Sequence, residues 1–447
     1  MPSDWSARPT GASAASLRRI LAITAAALAA LTGGALLAVH GVQAGTVGPD
    51  VTVHTLTGPG NYSAAGGFEA YSLGTTSCNQ GDTPLNWCDN AGGCPGQGTS
   101  DEEHPVIAQN LYRLKDGRFE QIGMSWLKHG FTALAISHPD CGNGSCQNPG
   151  TGNLLGVGCT DPYDSDLNGS RPLGLRSEVN ATTGFFPFPE TQIPTVDNTS
   201  QRIRVAIADV DPAQNPGALY WLEGHYIAAD DAVAENGHNN ASYRQTFVNA
   251  GTFSLTFSGA GPTQRQLPAI AAWQAVDSEV DLVAVDVPGS SPVERFHVAR
   301  RVTDLGGGDF HYEYAVHNLN SDRSAISFTV DFPGAATISN AGFHDIDHHS
   351  GEPYDTADWT ADLSTPGQVS WSGVPFTTDP DANALRWATM FTFWFDAGAG
   401  SGGLSHTIGL FKPGSPADVE FNILHQLFAD GFESGDTNGW SSTVGKR

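Results

Sequence analysis

Charge is scarce in this sequence and uneven in sign. Asp, Glu, Lys and Arg make up 15% of the 447 residues, and lysine occurs only four times. The 47 acidic side chains outnumber the 21 basic ones, for a formal net charge of −26 at pH 7. A surface of that sign repels phosphate backbones and anionic headgroups, so no nucleic-acid partner is expected. Beyond residue 44 no charge-free apolar stretch reaches the roughly 20 residues that span a bilayer, so no stable membrane insertion of the mature chain is expected. Several catalytic signatures are also missing. There is no G-x-S-x-G elbow and no α/β pattern to host one. There is no H-E-x-x-H pair, and no C-x-x-C spacing of the kind that builds structural zinc sites.

What is present starts with an export signal. Arg18 and Arg19 precede the apolar run Ile20 to Val39, and Val42-Gln43-Ala44 supplies small residues where a signal peptidase cuts. Cleavage after residue 44 removes three arginines and one aspartate, which moves the formal charge from −26 to −28. All six cysteines, Cys78, Cys88, Cys94, Cys141, Cys146 and Cys159, fall between residues 78 and 159. An even number in an exported chain predicts disulfides. The location expected is therefore secreted or cell-surface.

Glycine is abundant, 53 of 447 residues, and prolines number 27. That composition favours short strands joined by turns. Period-two alternation supports it wherever a pattern is readable. Lys115-Asp116-Gly117 and the segment Asp304 to Asp309 read as hairpin turns, since Asp-Gly and Gly-Gly supply positive φ. Phe310, Tyr312, Tyr314 and Val316 alternate with His311, Glu313, Ala315 and His317, which predicts a half-exposed strand. Leu267 to Val276 reads as a short helix. The expected fold class is all-β, with two β-sandwich-like domains, the first carrying long disulfide-stapled irregular loops. The expected divisions are a signal peptide (1–44), an N-terminal β domain (45–260), a C-terminal β-sandwich (261–415) and an acidic tail (416–447) that serves as a surface or sorting segment.

Several stretches carry a resemblance. Asn383-Ala-Leu-Arg-Trp387, Asn239-Asn-Ala-Ser-Tyr-Arg244 and Leu155-Gly-Val-Gly-Cys-Thr-Asp-Pro-Tyr163 resemble segments of uncharacterised secreted proteins of environmental bacteria. The C-terminal Asp430-Gly-Phe-Glu-Ser-Gly435 with Trp440-Ser441 is similar to a tag that recurs at the ends of exported bacterial proteins. The resemblance implies export and carries no activity.

Three places hold groups suited to chemistry. His344-Asp345-Ile346-Asp347-His348-His349, with Glu352, is the densest. An extended chain sends His344 and His348 to one side, where they can share a metal. Asp347 and His349 can serve from the other side, and His238 can approach from a flexible loop. Imidazoles suit copper or zinc, and carboxylates suit calcium. In the second place, Trp221, Glu223 and His225 share one strand face, and Glu223 beside His225 is a usable acid/base pair. The third is Lys128-His129 with His138 downstream. Each place also reads as ordinary structure, whether a polar loop, an exposed strand face or a strand end. The function expected is a structural or ligand-binding role toward an extracellular polymer or small ligand. The alternative is a secreted copper- or zinc-dependent oxidase or hydrolase built on the His/Asp cluster.

Overall fold

The computed structural model describes residues 46–88, 104–130, 132–142, 144–169, 174–187, 191–192, 194–400 and 402–424. The expected signal peptide, Cys94 and the tag-like segment from 425 onward lie outside them. The described residues form one compact unit, and it is all-β. The helices described are single turns or little more: α1 (Ile207–Val210), α2 (Ala229–Val233) and α3 (Ala271–Val276).

The first sheet gathers strands from the N-terminal half. They are β1 (Val51–Ala65), β2 (Phe68–Asn79), β4 (Val106–Lys115), β5 (Arg118–Met124), β6 (Lys128–His129), β7 (Ile136–Ser137), β9 (Cys159–Tyr163), β10 (Ile203–Ala206), β11 (Leu219–Ile227), β12 (Ala241–Val248) and β13 (Leu255–Thr256). A small separate pair joins β3 (Leu85–Asn86) to β8 (Leu154–Leu155). The order in the large sheet is β13-β12-β11-β4-β5-β10-β2-β9-β7, with β1 on β2 and β6 on β4. The sheet curls, because β1 hydrogen-bonds only to β2 yet packs across onto β11, β12 and β13. The space enclosed is filled by Val53, Leu56, Leu73, Ile107, Leu111, Leu222 and Tyr226. Disulfides Cys78–Cys141 and Cys146–Cys159 fasten the irregular segments to this sheet. Cys88 is disulfide-bonded as well.

The second half stacks two five-stranded antiparallel sheets. One has the order β14 (Val280–Asp286), β15 (Arg295–Gly306), β16 (Asp309–Asn318), β21 (Thr389–Ala397), β18 (Ile338–His344). The other has the order β19 (Thr360–Asp362), β20 (Gln368–Ser372), β17 (Ala325–Asp331), β22 (Ser405–Leu410), β23 (Asp418–Phe421). Between them lies an aromatic core that includes Tyr312, Tyr314, Phe328, Trp371, Phe393 and Phe395. The strand β23 falls inside the segment expected as tail, where it adds an edge to the sandwich.

The β14–β18 sheet is a middle layer, covered on both faces. Its aromatic side packs into the sandwich, and its other side meets the first sheet. The alternation in β16 therefore does not mark a half-exposed strand. Glu313 accepts two hydrogen bonds from Arg118 of β5, at 2.7 and 2.9 Å. Ala315 joins Tyr112, Phe119, Trp221, Trp273, Ala299 and Met390 in a core shared by the two halves. Phe119 is its centre, stacked on Tyr112 at 5.7 Å and on Trp273 of α3 at 6.2 Å.

The hairpins fold as their turn residues require. Asp116 (φ 52°) and Gly117 (φ 87°) both take the left-handed conformation between β4 and β5. One largely buried strand has no readable alternation. In β2, Ser72, Thr75, Ser77 and Asn79 are as buried as Leu73, because covered strands have no solvent face.

Phe119→Ala is expected to cost about 3–5 kcal/mol. Urea unfolding followed by tryptophan fluorescence should show one transition at lower denaturant. A transition confined to one half would separate the two halves energetically.

Candidate functional site

The His344–His349 segment leaves the end of β18 and forms one wall of a cleft of ≈ 290 Å³. The opposite wall comes from β2, β5 and β10, through Phe68, Ile122, Met124 and Arg204, with Asp209 of α1 at one end. His344, Asp345, Asp347 and Asp358 bring imidazole and carboxylates to the rim. Arg204 stacks its guanidinium 3.6 Å above the Phe68 ring, and its Nε is buried with no hydrogen-bond partner. Asp347 and Asp358 are exposed. Asp345 accepts a 2.5 Å hydrogen bond from Asn383, and burial holds its carboxyl above the usual range. The lining therefore sets four carboxylates against one guanidinium.

The expected metal ligands do not converge. His348 turns inward beside Tyr354, ring centroids 4.9 Å apart, and its Nε2 has no partner. His349 spends Nε2 on the Arg202 carbonyl at 3.0 Å and packs edge-on against Trp126. His238 spends Nε2 on the Val293 carbonyl at 3.0 Å. Glu352 accepts the backbone N–H groups of Arg176 (2.7 Å) and Ser177 (3.1 Å). Among the described residues none of these belongs to a group of three ligand atoms within 4.8 Å of one another. The segment alternates only as far as His348. His349 also turns inward, because the chain leaves the extended conformation after the strand.

Glu223 and His225 share a face, but that face is sealed between sheets. Glu223 accepts Asn110 Nδ2 (2.9 Å), the Tyr112 hydroxyl (3.0 Å) and the Ala269 N–H (2.6 Å). Burial pushes its carboxyl up against the pull of these donors and of Arg176. His225 is fully buried with both ring nitrogens unpartnered, edge-on to Trp387 at 6.2 Å. His317 is likewise buried without a partner, and its ring lies 6.2 Å from that of His297. No solvent path is needed for such groups to hold a sheet together. An acid/base role requires one.

At the middle of these groups sits Arg176, which the sequence pattern did not single out. It donates to the carbonyls of Ser125 (2.8 Å), Gln109 (2.9 Å) and Ala388 (3.2 Å), and to Asn110 Oδ1 (2.9 Å). Burial draws its pKa down to about 10, so it remains a cation.

The third candidate place divides. Lys128 is wholly buried, donates to the Leu73 carbonyl and lies 4.7 Å from the Tyr163 ring centroid. Burial pushes its ammonium well below the usual range. His129 pairs with His104 at 2.8 Å. His138 instead meets His54, at 2.9 Å. His54, His138 and Asp140 are, among the described residues, the one set of three whose ligand atoms lie within 4.8 Å of one another. Sequence spacing gave no sign of it, since His54 stands 84 residues from His138.

No protein-family model matches this chain, and no curated protein matches it. Among the described residues, no helix is long and apolar enough to cross a membrane.

Burial lowers the pKa of His225, His297, His317 and His348 to about 3, and of His349 to about 4. Below about pH 6.5 the unfolded chain takes up protons that these buried rings refuse. Their contribution is complete above pH 6.5 and is lost as pH falls toward 3. Asp161, raised to about 6 by burial, acts in the opposite sense between roughly pH 4 and 6. The carboxyls of Glu223, Asp231, Asp345 and Glu352, also raised by burial, act with Asp161, so a histidine's contribution is read as the difference in the slope of melting temperature against pH between wild type and variant. His317→Leu, which removes two unpartnered nitrogens, should change that slope between about pH 6.5 and 4.5 by about one proton, in the direction of greater relative stability at the acid end. An unchanged slope would mean that His317 is protonated in the fold.

Proposed function

We propose that the protein is exported and acts outside the cytoplasm as a ligand-binding protein, with the cleft beside β18 as its site. The single observation that carries this reading is the convergence on one concavity of side chains from β2, β5, β10, α1 and the His344–Asp358 region. Apolar walls with a small number of converging polar groups are what small-molecule sites share. Export is supported by the signal-like first 44 residues and by disulfides Cys78–Cys141 and Cys146–Cys159, which belong to an oxidising compartment.

The chemistry of the lining favours a small cationic ligand with an apolar portion. Asp209, Asp345, Asp347 and Asp358 supply the negative field, and Phe343 and Ile122 supply apolar surface. Such a field concentrates amines and weakens as salt screens it.

Differential scanning fluorimetry with arginine, spermidine and choline, beside neutral sugars of similar size, tests this directly. At least one amine should raise the melting temperature at low ionic strength, with the effect reduced at 0.5 M salt. The double variant Asp347→Lys/Asp358→Lys changes two exposed side chains and should abolish the shift. Equal shifts in wild type and variant, or shifts from the sugars alone, would contradict the cationic-ligand reading.

A further inference from the structure

A second cluster lies apart from the cleft. His54 is the extra residue of a β-bulge in β1: Val53 pairs with Ser77 and Thr55 with Thr76, and His54 has no place in the ladder. Bulges re-aim side chains and free backbone groups. The freed carbonyl of His54 accepts Arg265 Nε at 2.8 Å. The imidazole is buried, with Nε2 2.9 Å from His138 Nδ1 and ring centroids 4.3 Å apart. His54 Nδ1 is buried without a partner, so no hydrogen bond on that side dictates which nitrogen carries the proton.

His138 and Asp140 come from the turn after β7, and that turn is held from three sides. Its strand pairs with β9. The Cys141 N–H donates to the His138 carbonyl at 3.1 Å. Cys141 is cross-linked to Cys78 on β2, the partner strand of β1. In front of His54 a cavity of ≈ 500 Å³ opens, lined by Thr55, Arg244, Pro262, Thr263 and Arg265.

We propose that His54, His138 and Asp140 form a binding site for a divalent transition-metal ion, with Cu²⁺ as the preferred occupant. Two imidazole nitrogens and one carboxylate oxygen suit this class of ion and disfavour Ca²⁺ or Mg²⁺, which take oxygen ligands. The 2.9 Å between His54 Nε2 and His138 Nδ1 is the distance of an N–H···N hydrogen bond, and loss of the shared proton frees both nitrogens for an ion held at about 2.0–2.1 Å. Cu²⁺ stands above Zn²⁺ in the affinity order that nitrogen and oxygen donor sets follow for divalent first-row ions. Without an ion, Asp140 faces Arg265 at 3.8 Å. Metal binding exchanges that guanidinium for the ion, and of the three ligands His54 borders the open cavity. The disulfide places two of the three ligands, so the site is complete only in the oxidised chain.

The test uses untagged, oxidised full-chain protein and Cu²⁺ alone, titrated against glycine as competitor and followed by electron paramagnetic resonance. One Cu²⁺ per chain is expected, with hyperfine coupling to two imidazole nitrogens. His138→Ala, at a half-buried position, should weaken binding by at least about 30-fold, and Asp140→Asn by several-fold. Circular dichroism should be unchanged in both, and His238→Ala should bind like wild type. Equal copper affinity in wild type and His138→Ala, or no one-to-one binding by the wild type, would overturn the assignment.

Discussion

The guanidinium of Arg176 is the point on which both halves of this protein close. It sits between β4, whose Gln109 carbonyl and Asn110 side chain it binds, and Ala388 at the start of β21. The same Ala388 carbonyl also takes Asn110 Nδ2 at 3.2 Å, and Gln121 Oε1 receives the Met390 N–H at 2.8 Å. A buried cation is tolerated only where its donors are used and opposing charge is near. Here carbonyls use the donors, and Glu223 and Glu352 provide the charge. Removing either carboxylate, or the guanidinium, strands the other members of the network in a medium that cannot solvate them. That dependence explains why so many polar side chains on β4 and β11 are buried, and why Glu223 is better understood as a structural counter-charge than as a catalytic acid.

The middle layer follows from the same constraint. Its polar face meets the first sheet through Arg118 on Glu313, while His311 stays within its own sheet, its ring nitrogens 2.6 Å from Asp396 and 2.9 Å from Glu313. Alternation in β16 correctly separated two faces. It could not show that the polar face would be covered, because a sheet sandwiched on polar side chains has the same period as one facing water. Hairpin turns, the helix at α3 and the all-β class were legible for local reasons: left-handed residues, proline-free apolar runs and turn spacing. The strand β2 was not, since its serines, threonines and asparagine are buried beside its apolar residues. Arg176 lies in an irregular segment whose local sequence has no period to read.

The candidate chemistry divides along the same line. The His344–Asp347 cluster was visible because its residues are neighbours in sequence, and part of it does reach a cleft. The set His54, His138 and Asp140 was invisible because it depends on a bulge and on a disulfide-held turn. Neither leaves a mark in the residues that flank His54. Convergence of ligands from distant strands is a product of topology, and one-dimensional spacing does not contain it.

The central claim, that the Arg176 network makes the two halves a single cooperative structure, is tested most directly by native-state hydrogen exchange in low denaturant. If the claim holds, the slowest amides of β4 and β11 and those of β21 exchange through one shared opening in the wild type. In Arg176→Met those of β21 open separately and earlier. If β21 in the wild type already exchanges through its own lower-energy opening, with a denaturant dependence unlike that of β4, the account is contradicted.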